Sequence, residues 1–290
     1  MRARFTATMA DLLARDPRTA LVLADIGPVD LGRGTHAAER VINVGIREQA
    51  LIGVAAGLAT AGLRPFVHSY APFLVERPYE QIKLDLSHQD LGAVLVSIGA
   101  SYDAASEGRT HQCPADVALL AALPGWRVHV PGHPDEVEAL LRAAARADDR
   151  QYVRLSSASN PEAYPADGTI RVVREGRGAA VLAVGPALGA TLRAAEGLDV
   201  AVAYTATPSP LDAPGLAALV ADRGRLVVVE PYLEGTAAPE VLAALGGRPI
   251  ALDLVGVGRT EVRRYGSPED HARHHGLDAR GIRQRLVGAA

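Results

Sequence analysis

One carboxylate, Glu48, stands in the otherwise apolar and glycine-rich run VINVGIREQALIGVAAGLATAG at residues 41–62. The pattern predicts that Glu48 begins a buried helix. Burial beside Ile46 and Leu51 would favour the protonated carboxyl group, whereas Arg47 and the helix N-terminus would favour the carboxylate. We expect burial to dominate, because Arg47 can turn away. Glu48 is therefore a candidate for hydrogen bonding or proton transfer, although glutamate is also common in the first turn of ordinary helices.

Two aromatic residues and a histidine further along the chain also suit binding and catalysis. Tyr70 and Phe73 follow a predicted strand in a chain that is only 4% aromatic. Their faces could stack on a flat heteroaromatic ring, with core packing as the alternative role. His111 lies in a Thr-His-Gln sequence, and imidazole suits proton transfer because it titrates near neutral pH. An exposed loop histidine is the alternative.

Short β-branched runs alternate with helical segments along the chain and must position these residues. The first half contains ALVLADIG, RPFVHS, GAVLVSIG, WRVHVPG and QYVRLS, and the second contains IRVV, AAVLAVG, LDVAVAY, RLVVVE and PIALDLVGV. Continuous apolar strands separated by helices predict parallel sheets covered on both faces. We therefore expect an α/β protein with two doubly wound, mostly parallel-sheet domains. Ligands of such sheets bind beyond the carboxyl ends of the strands, where the candidate residues lie.

A polar segment rich in serine, alanine and proline, SSASNPEAYPADGT at residues 156–169, separates the two sets of strands. Such composition is typical of a linker. We place the boundary near residue 165, with domains at residues 1–164 and 165–290.

Charge and cysteine content argue against several classes of protein. A net charge of −3, with 30 basic residues scattered among 33 carboxylates, provides no basic surface for nucleic acid or an anionic membrane. The longest apolar stretch, residues 50–59, is much shorter than the roughly 20 residues of a membrane span. A single cysteine, Cys113, fits a reducing compartment, so we expect a cytoplasmic protein.

The run GIREQALIGVAAGLATAGLRPFVHSYAPFLVERPYEQI, followed by EGRTHQ, resembles the pyrimidine-binding domain of transketolases. LPGWRVHVPGHPDEVEALL, LVVVEPYLEGTAAPEVLAAL and GLDARGIRQRL continue the resemblance into the family's C-terminal domain, so that it covers most of the chain. The combination of Gly-Ile-Arg-Glu-Gln, the aromatic pair and Thr-His-Gln is much more specific than any one of them. The resemblance implies a thiamine diphosphate-dependent enzyme that transfers a two-carbon ketol unit from a ketose to an aldehyde.

The resemblance also implies roles for the candidate residues. A glutamate at the position of Glu48 donates a hydrogen bond to the cofactor's aminopyrimidine ring and so helps form the thiazolium ylid. Tyr70, Phe73 and Ile46 match cofactor-binding positions. His111 matches a histidine that hydrogen-bonds the oxygens of the donor and moves protons, so that Glu48 and His111 are the expected catalytic residues.

The family's Mg²⁺ and diphosphate site is absent from this sequence. Transketolases hold these groups on an N-terminal domain with a Gly-Asp-Gly motif, which this chain lacks. We therefore expect the C-terminal subunit of a split transketolase, with an N-terminal diphosphate-binding subunit that supplies most of the Mg²⁺ site. Because the family's cofactor lies between protomers, an α2β2 heterotetramer is expected. His271, His274 and His275 have a spacing that a metal could accept, but without other ligands they predict a polar helix surface and no metal site.

The predicted substrate channel departs from transketolases that act on sugar phosphates. Ser157 takes the place of an arginine, Gly99 that of a histidine and Val29 that of a serine. Arg4 preserves one basic position, and Glu107 replaces an aspartate that reads a donor hydroxyl. Each charge-assisted bond to phosphate contributes roughly 1.5 to 3 kcal/mol, so we expect a substrate without a terminal phosphate, or one presented differently. The departures favour a specialised biosynthetic pathway.

Two other functions remain open from the sequence. The first is the β subunit of a 2-oxo acid dehydrogenase, which decarboxylates an oxo acid and passes an acyl unit to a carrier; EGRTHQ and ERPYEQI favour a transketolase instead. The second is a noncatalytic binding subunit that keeps the fold. The joint presence of Glu48, Tyr70, Phe73 and His111 speaks against that role.

Overall fold

The computed structural model describes residues 1–28, 30–31, 33–261 and 263–288, so the prediction about Val29 lies outside the described residues. The helices of the first half are α1 (Arg2–Arg15), α2 (Glu48–Thr60), α3 (Tyr79–Gln81), α4 (Asp116–Ala121) and α5 (Pro134–Ala145). Its strands are β1 (Thr19–Leu23), β2 (Val41–Asn43), β3 (Arg64–Tyr70), β4 (Val94–Ile98), β5 (Trp126–His129) and β6 (Arg150–Arg154). Two π-helical segments, Pro72–Glu76 and Ile82–His88, flank α3. Short 3₁₀ turns lie at His36–Arg40, Ala105–Glu107 and Arg109–His111.

The second half alternates strands and helices in the same way. Its strands are β7 (Arg171–Arg174), β8 (Ala180–Val184), β9 (Ala201–Thr205), β10 (Arg225–Leu233) and β11 (Ala251–Val257). Its helices are α6 (Leu188–Ala195), preceded by a 3₁₀ turn at Gly185–Ala187, then α7 (Ala213–Leu219), α8 (Ala238–Leu245), α9 (Pro268–His274) and α10 (Ala279–Val287). None of the described helices combines the length and the hydrophobicity that crossing a bilayer requires.

The first sheet has six strands in the order β2-β1-β3-β4-β6-β5, and every neighbouring pair is parallel. Helices α1 and α5 cover one face, and α2, α4 and the π-helical segments cover the other. Strands β1 and β4 are buried throughout, which explains their continuous apolar sequences. The sequence did not predict β2, because its three residues, at the edge of the sheet, are only partly buried.

The second sheet has five strands in the order β11-β10-β8-β9-β7. Only β7 runs antiparallel to its neighbour. Helices α6 and α10 pack on one face, and α7 and α8 pack on the other. The predicted fold class, two mostly parallel α/β sheets, is confirmed.

A buried ion pair lies where the two halves meet. Nε of Arg154, at the end of β6, donates to Oδ2 of Asp116, the first residue of α4, at 2.7 Å, and both side chains are buried. Arg154 Nη2 also donates to the Ser101 hydroxyl, which donates to the carbonyl oxygen of Pro231 in β10. The guanidinium thereby connects the carboxyl end of the first sheet to the second.

Candidate active site

Glu48 is the first residue of α2 and is buried, with 2% of its surface exposed. Arg47, the cation that the sequence places beside it, is exposed and makes no side-chain capping bond. Instead, Arg77 Nη1 donates to Glu48 Oε1 at 2.7 Å. The buried carboxyl group therefore has a cationic partner that the sequence did not indicate.

Tyr70, Phe73 and His111 form one aromatic cluster next to this ion pair. The ring centroids of Tyr70 and Phe73 are 6.2 Å apart, and those of Phe73 and His111 are 5.0 Å apart. His111 is also 5.6 Å from Tyr70, and all three contacts are edge-to-face. The Arg77 guanidinium lies over the Phe73 ring at 4.3 Å from its centroid and joins the cluster to Glu48. The structure thus brings together four of the predicted site residues from separate segments.

The irregular helical segment after β3 positions these groups. Tyr70 ends β3, and Phe73 lies in the π-helical turn that follows. The backbone N–H of Arg77 donates to the carbonyl oxygen of Pro72, which closes that wider turn. Phe73 and Arg77 are four residues apart, a spacing that places helical side chains on one face. Ile46, just before α2, is 71% exposed and is not part of the aromatic cluster.

Gly99 and Tyr70 fit each other closely at the carboxyl ends of β4 and β3. Gly99 has a φ of +72°, and a Cβ added to it would lie 2.5 Å from Cδ1 of Tyr70. Real Cβ atoms essentially never come that close to another heavy atom, so no side chain fits at position 99 while Tyr70 keeps its place. The Tyr70 ring therefore takes up the space that a residue other than glycine would need.

A cavity of about 460 Å³ opens beside the aromatic cluster. Its lining includes Tyr70, Gly99, Glu107 and Ser157, which are four residues predicted to bind cofactor or substrate. The charged residues in the lining are Arg2, Asp103 and Glu107. The carboxyl ends of the strands therefore surround a cavity whose lining has more carboxylates than arginines.

Arg4 lies outside this cavity. It forms ion pairs with Asp135 at 2.6 Å and Glu138 at 2.8 Å on α5. Residues two apart on a helix point in nearly opposite directions, so Arg2 reaches the cavity while Arg4 faces α5. The expected basic residue at this site is thus replaced by its neighbour on α1.

Burial changes the proton affinity of several groups around the site. It raises the pKa of Asp103, although hydrogen bonds from Ser157 and Ser156 oppose the effect. Burial also raises the pKa of the Cys113 thiol well above its ordinary value, with further contributions from Asp116 and Glu76. Cys113 is therefore a protonated, buried residue that packs as a small hydrophobic side chain.

The histidines near the C-terminus differ from the expected polar surface. His271 is buried, with 1% exposed, and its ring is stacked 5.5 Å from that of Tyr102. His275 is partly buried and lies 6.0 Å from the same ring, whereas His274 is exposed. The expected polar surface is wrong for His271, because stacking on Tyr102 makes that side of α9 part of the core, whereas the exposed His274 agrees with it. Across the described parts of the chain, no group of three or more histidine, cysteine or acidic residues is arranged to hold a metal ion.

The two α/β sheets and the residues clustered at the carboxyl ends of the first sheet define a class of protein, which the following family matches identify. Residues 1–161 match the transketolase pyrimidine binding domain, and residues 168–282 match the transketolase C-terminal domain. The chain belongs to the transketolase family.

Similarity to individual proteins supports the assignment to this family. An uncharacterized 33.6 kDa protein in the fasciation locus of Rhodococcoides fascians is 49% identical, over 97% of this chain and 92% of its own length. One of the subunits of the apulose-4-phosphate transketolase of Phocaeicola vulgatus is 27% identical, over 97% and 94% of the two chains. The solved structure of a split gene transketolase, an inactive beta4 tetramer, has a TM-score of 0.85 at 28% identity and covers 99% of this chain and 97% of that chain. The predicted resemblance to split transketolase subunits is confirmed.

Three charged residues near the site were not indicated by the sequence: Arg77, Arg2 and Asp103. The spacing of Arg77 from Phe73 could have indicated Arg77, since both lie in one helical segment. Asp103 gave no comparable signal, because its position depends on the fold of the loop after β4.

Proposed function

We propose that this chain is the C-terminal subunit of a split, thiamine diphosphate-dependent transketolase that transfers a two-carbon ketol unit from a ketose to an aldehyde. One observation carries the proposal. Glu48, Tyr70, Phe73 and His111 meet beside a cavity although they come from three separate segments. Similarity to single subunits of apulose-4-phosphate transketolases supports it. We place the boundary between the two domains at residues 164 and 165.

The residues present suit the pyrimidine half of thiamine diphosphate. A buried carboxyl group beside aromatic faces matches the polar and stacking contacts that an aminopyrimidine ring needs. Glu48, Tyr70, Phe73 and Ile46 would hold that ring. When bound, the cofactor supplies a carbanion equivalent for cleaving and forming carbon–carbon bonds. We assign Mg²⁺ and the diphosphate mainly to the N-terminal subunit.

Glu48 and His111 carry the proton chemistry of this chain. The Glu48 carboxyl group would hydrogen-bond the aminopyrimidine ring and favour one of its tautomers. Because Arg77 donates to Glu48 Oε1, Arg77 would either share the carboxyl group with a bound ring or give up this hydrogen bond. His111 hydrogen-bonds the hydroxyl or carbonyl oxygen of the donor ketose and exchanges its proton during cleavage.

The N-terminal diphosphate-binding subunit is the proposed partner, in an α2β2 heterotetramer. Ala50, Gly53 and Gly57 lie on an exposed face of helix α2, and Ile46 is exposed just before it. Small side chains let a second backbone approach closely, and exposed apolar surface is typical of association sites. These features support a partner at this face.

We propose that the substrates lack a terminal phosphate. Ser157 and Gly99, at positions of phosphate-binding residues in the family, line the cavity and carry no positive charge. Arg2 is the one arginine in its described lining, opposite two carboxylates. A dianionic phosphate needs several charged donors, which this lining does not supply.

Calorimetric titration of thiamine diphosphate and Mg²⁺ tests the function directly. The ligands are added to this chain alone and to the chain mixed with a candidate N-terminal subunit from the neighbouring gene. We expect strong binding only in the mixture, and loss of ketol transfer from an unphosphorylated ketose in Glu48→Gln. Glu80→Gln, at an exposed position in α3, is the matched control and should retain activity. Absence of cofactor binding in both samples would support the noncatalytic role instead.

A further inference from the structure

Asp103, on the loop after β4, lies at the boundary between two cavities. It lines the 460 Å³ cavity described above and also a cavity of about 640 Å³ between the two halves of the chain. The backbone N–H of Ser157 donates to Asp103 Oδ2 at 2.7 Å, and the Ser156 hydroxyl donates to Oδ1 at 3.3 Å. The serine that replaces the family's arginine is therefore held in place by a carboxylate.

The charge of Asp103 is only partly compensated by its surroundings. The larger cavity is lined by Arg154, Arg193 and Arg273 together with the carboxylates of Glu269 and Asp278, and Nε of Arg154 donates to the buried Asp116 carboxylate at 2.7 Å. Within the smaller cavity, Glu107 adds a second carboxylate and Arg2 is the one arginine in the described lining. Burial raises the pKa of Asp103 despite its two serine donors and the opposing charge of Arg154, as expected for a carboxyl group that its surroundings compensate only in part. A hydrogen-bond donor from a ligand would therefore be favourable there, whereas a second anion would be repelled.

We propose that Asp103 determines substrate specificity by accepting a hydrogen bond from the free terminal hydroxyl of a sugar and by excluding a phosphate at that end. The substrate class is thus an unphosphorylated polyhydroxy aldehyde or ketone. This inference rests on the proposed function, which makes the cavity the binding site of the sugar substrate. Its test measures binding and does not depend on turnover. Ser157 acts as a positioning residue, because its N–H orients the carboxylate.

The test is an NMR titration of the full chain, with the backbone amide of Ser157 as the reporter. The two probes are D-erythrose and D-erythrose 4-phosphate. We expect D-erythrose to shift the Ser157 amide signal at concentrations at least about tenfold lower than those needed for the phosphate ester. The reason is that a buried polar group discriminates strongly between a ligand that forms a hydrogen bond with it and a ligand that cannot. In Asp103→Asn, the ratio between the concentrations of the two sugars that shift the amide should become about tenfold smaller. The double variant Asp103→Asn with Ser157→Arg should bind the phosphate ester more tightly than D-erythrose, with the Ser156 amide as the reporter.

Asp135→Asn is the matched control, because this carboxylate pairs with Arg4 on the α5 surface away from the cavity. It should behave like the wild-type chain. Equal or tighter binding of the ester by the wild-type chain overturns the proposal, and so does a wild-type chain whose Ser157 amide responds to neither probe. If the isolated chain prefers D-erythrose as expected but the reconstituted complex does not transfer a ketol unit, the proposed function is overturned. The role of Asp103 in specificity would still stand.

Discussion

At the scale of single residues, Arg77 is the cationic partner that determines the electrostatic environment of the Glu48 carboxyl group. The carboxyl group is buried, and Arg77 supplies its ion-pair partner at 2.7 Å while remaining partly exposed itself. Removing one partner of such a pair leaves an uncompensated charge in a poorly solvated place. Stability should therefore respond to Arg77 much more than to Arg47, its exposed counterpart beside Glu48.

Arg77→Leu should lower the free energy of unfolding by about 1 to 2 kcal/mol, less than for a fully buried pair because Arg77 is 42% exposed. Urea unfolding followed by circular dichroism measures the change. Arg47→Leu is the control and should stay within about 0.5 kcal/mol of wild type. The double variant Arg77→Leu with Glu48→Gln should recover part of the loss, whereas simple additivity of the two changes would contradict the coupling.

Gly99→Ala should also destabilise the chain, by roughly 2 kcal/mol or more. The new Cβ meets the Tyr70 ring, and the positive φ of Gly99 disfavours any residue with a side chain. Gly57→Ala, within α2 and with no heavy atom within 4 Å of the added Cβ, should instead stabilise by about 0.5 to 1 kcal/mol. Thermal unfolding of both variants checks the contrast, and similar melting temperatures would show that the space at position 99 can adapt.

At the scale of elements, the loop after β4, the start of α4 and strand β10 meet at the buried Arg154 guanidinium. Asp116→Asn should lower the free energy of unfolding by about 3 to 5 kcal/mol, because Arg154 stays buried without a counterion. Arg127→Met is the control: its ion pair with Asp149 is largely exposed, and its loss should cost about 1 kcal/mol or less. Denaturant unfolding of the two variants tests this, and equal losses would contradict the importance of burial.

Most of the sheet elements were predictable because buried parallel strands are continuous apolar runs. β2 escaped this pattern since three partly buried residues at an edge carry too little hydrophobic signal. The sequence also indicated the members of the aromatic cluster, because aromatic residues are scarce in this chain. Arg77 and Asp103 were not predictable in the same way. The ion-pair partner of Arg77, Glu48, and the hydrogen-bond donors to Asp103, Ser156 and Ser157, come from other segments of the chain, and only the packed fold brings those segments together.

At the scale of the whole molecule, buried neutral histidines should make the fold sensitive to acid. Burial lowers the pKa of His68 and of His129 to about 4. The unfolded chain has a histidine pKa near 6.5, so it binds more protons than the folded chain between these values. Each of these histidines should therefore lower the stability by on the order of 3 kcal/mol as the pH falls from about 6.5 towards 4. Glu230, whose pKa burial raises to about 7, changes the stability in the opposite direction over part of this range.

Urea unfolding at a series of pH values from 7.5 to about 4.5 measures this dependence. In His68→Met the acid side of the profile should become shallower, because one buried imidazole no longer titrates. His129→Gln can keep a hydrogen bond to Thr207 and should have a similar effect. An acid side of the profile that keeps the wild-type slope in both variants would contradict the assignment of these histidines.

The close contact between Tyr70 and Gly99 also constrains the history open to this protein. A side chain larger than glycine at position 99 requires the Tyr70 ring to move from its present place, since both groups would otherwise occupy one space. The two positions should therefore vary together among relatives that share this packing.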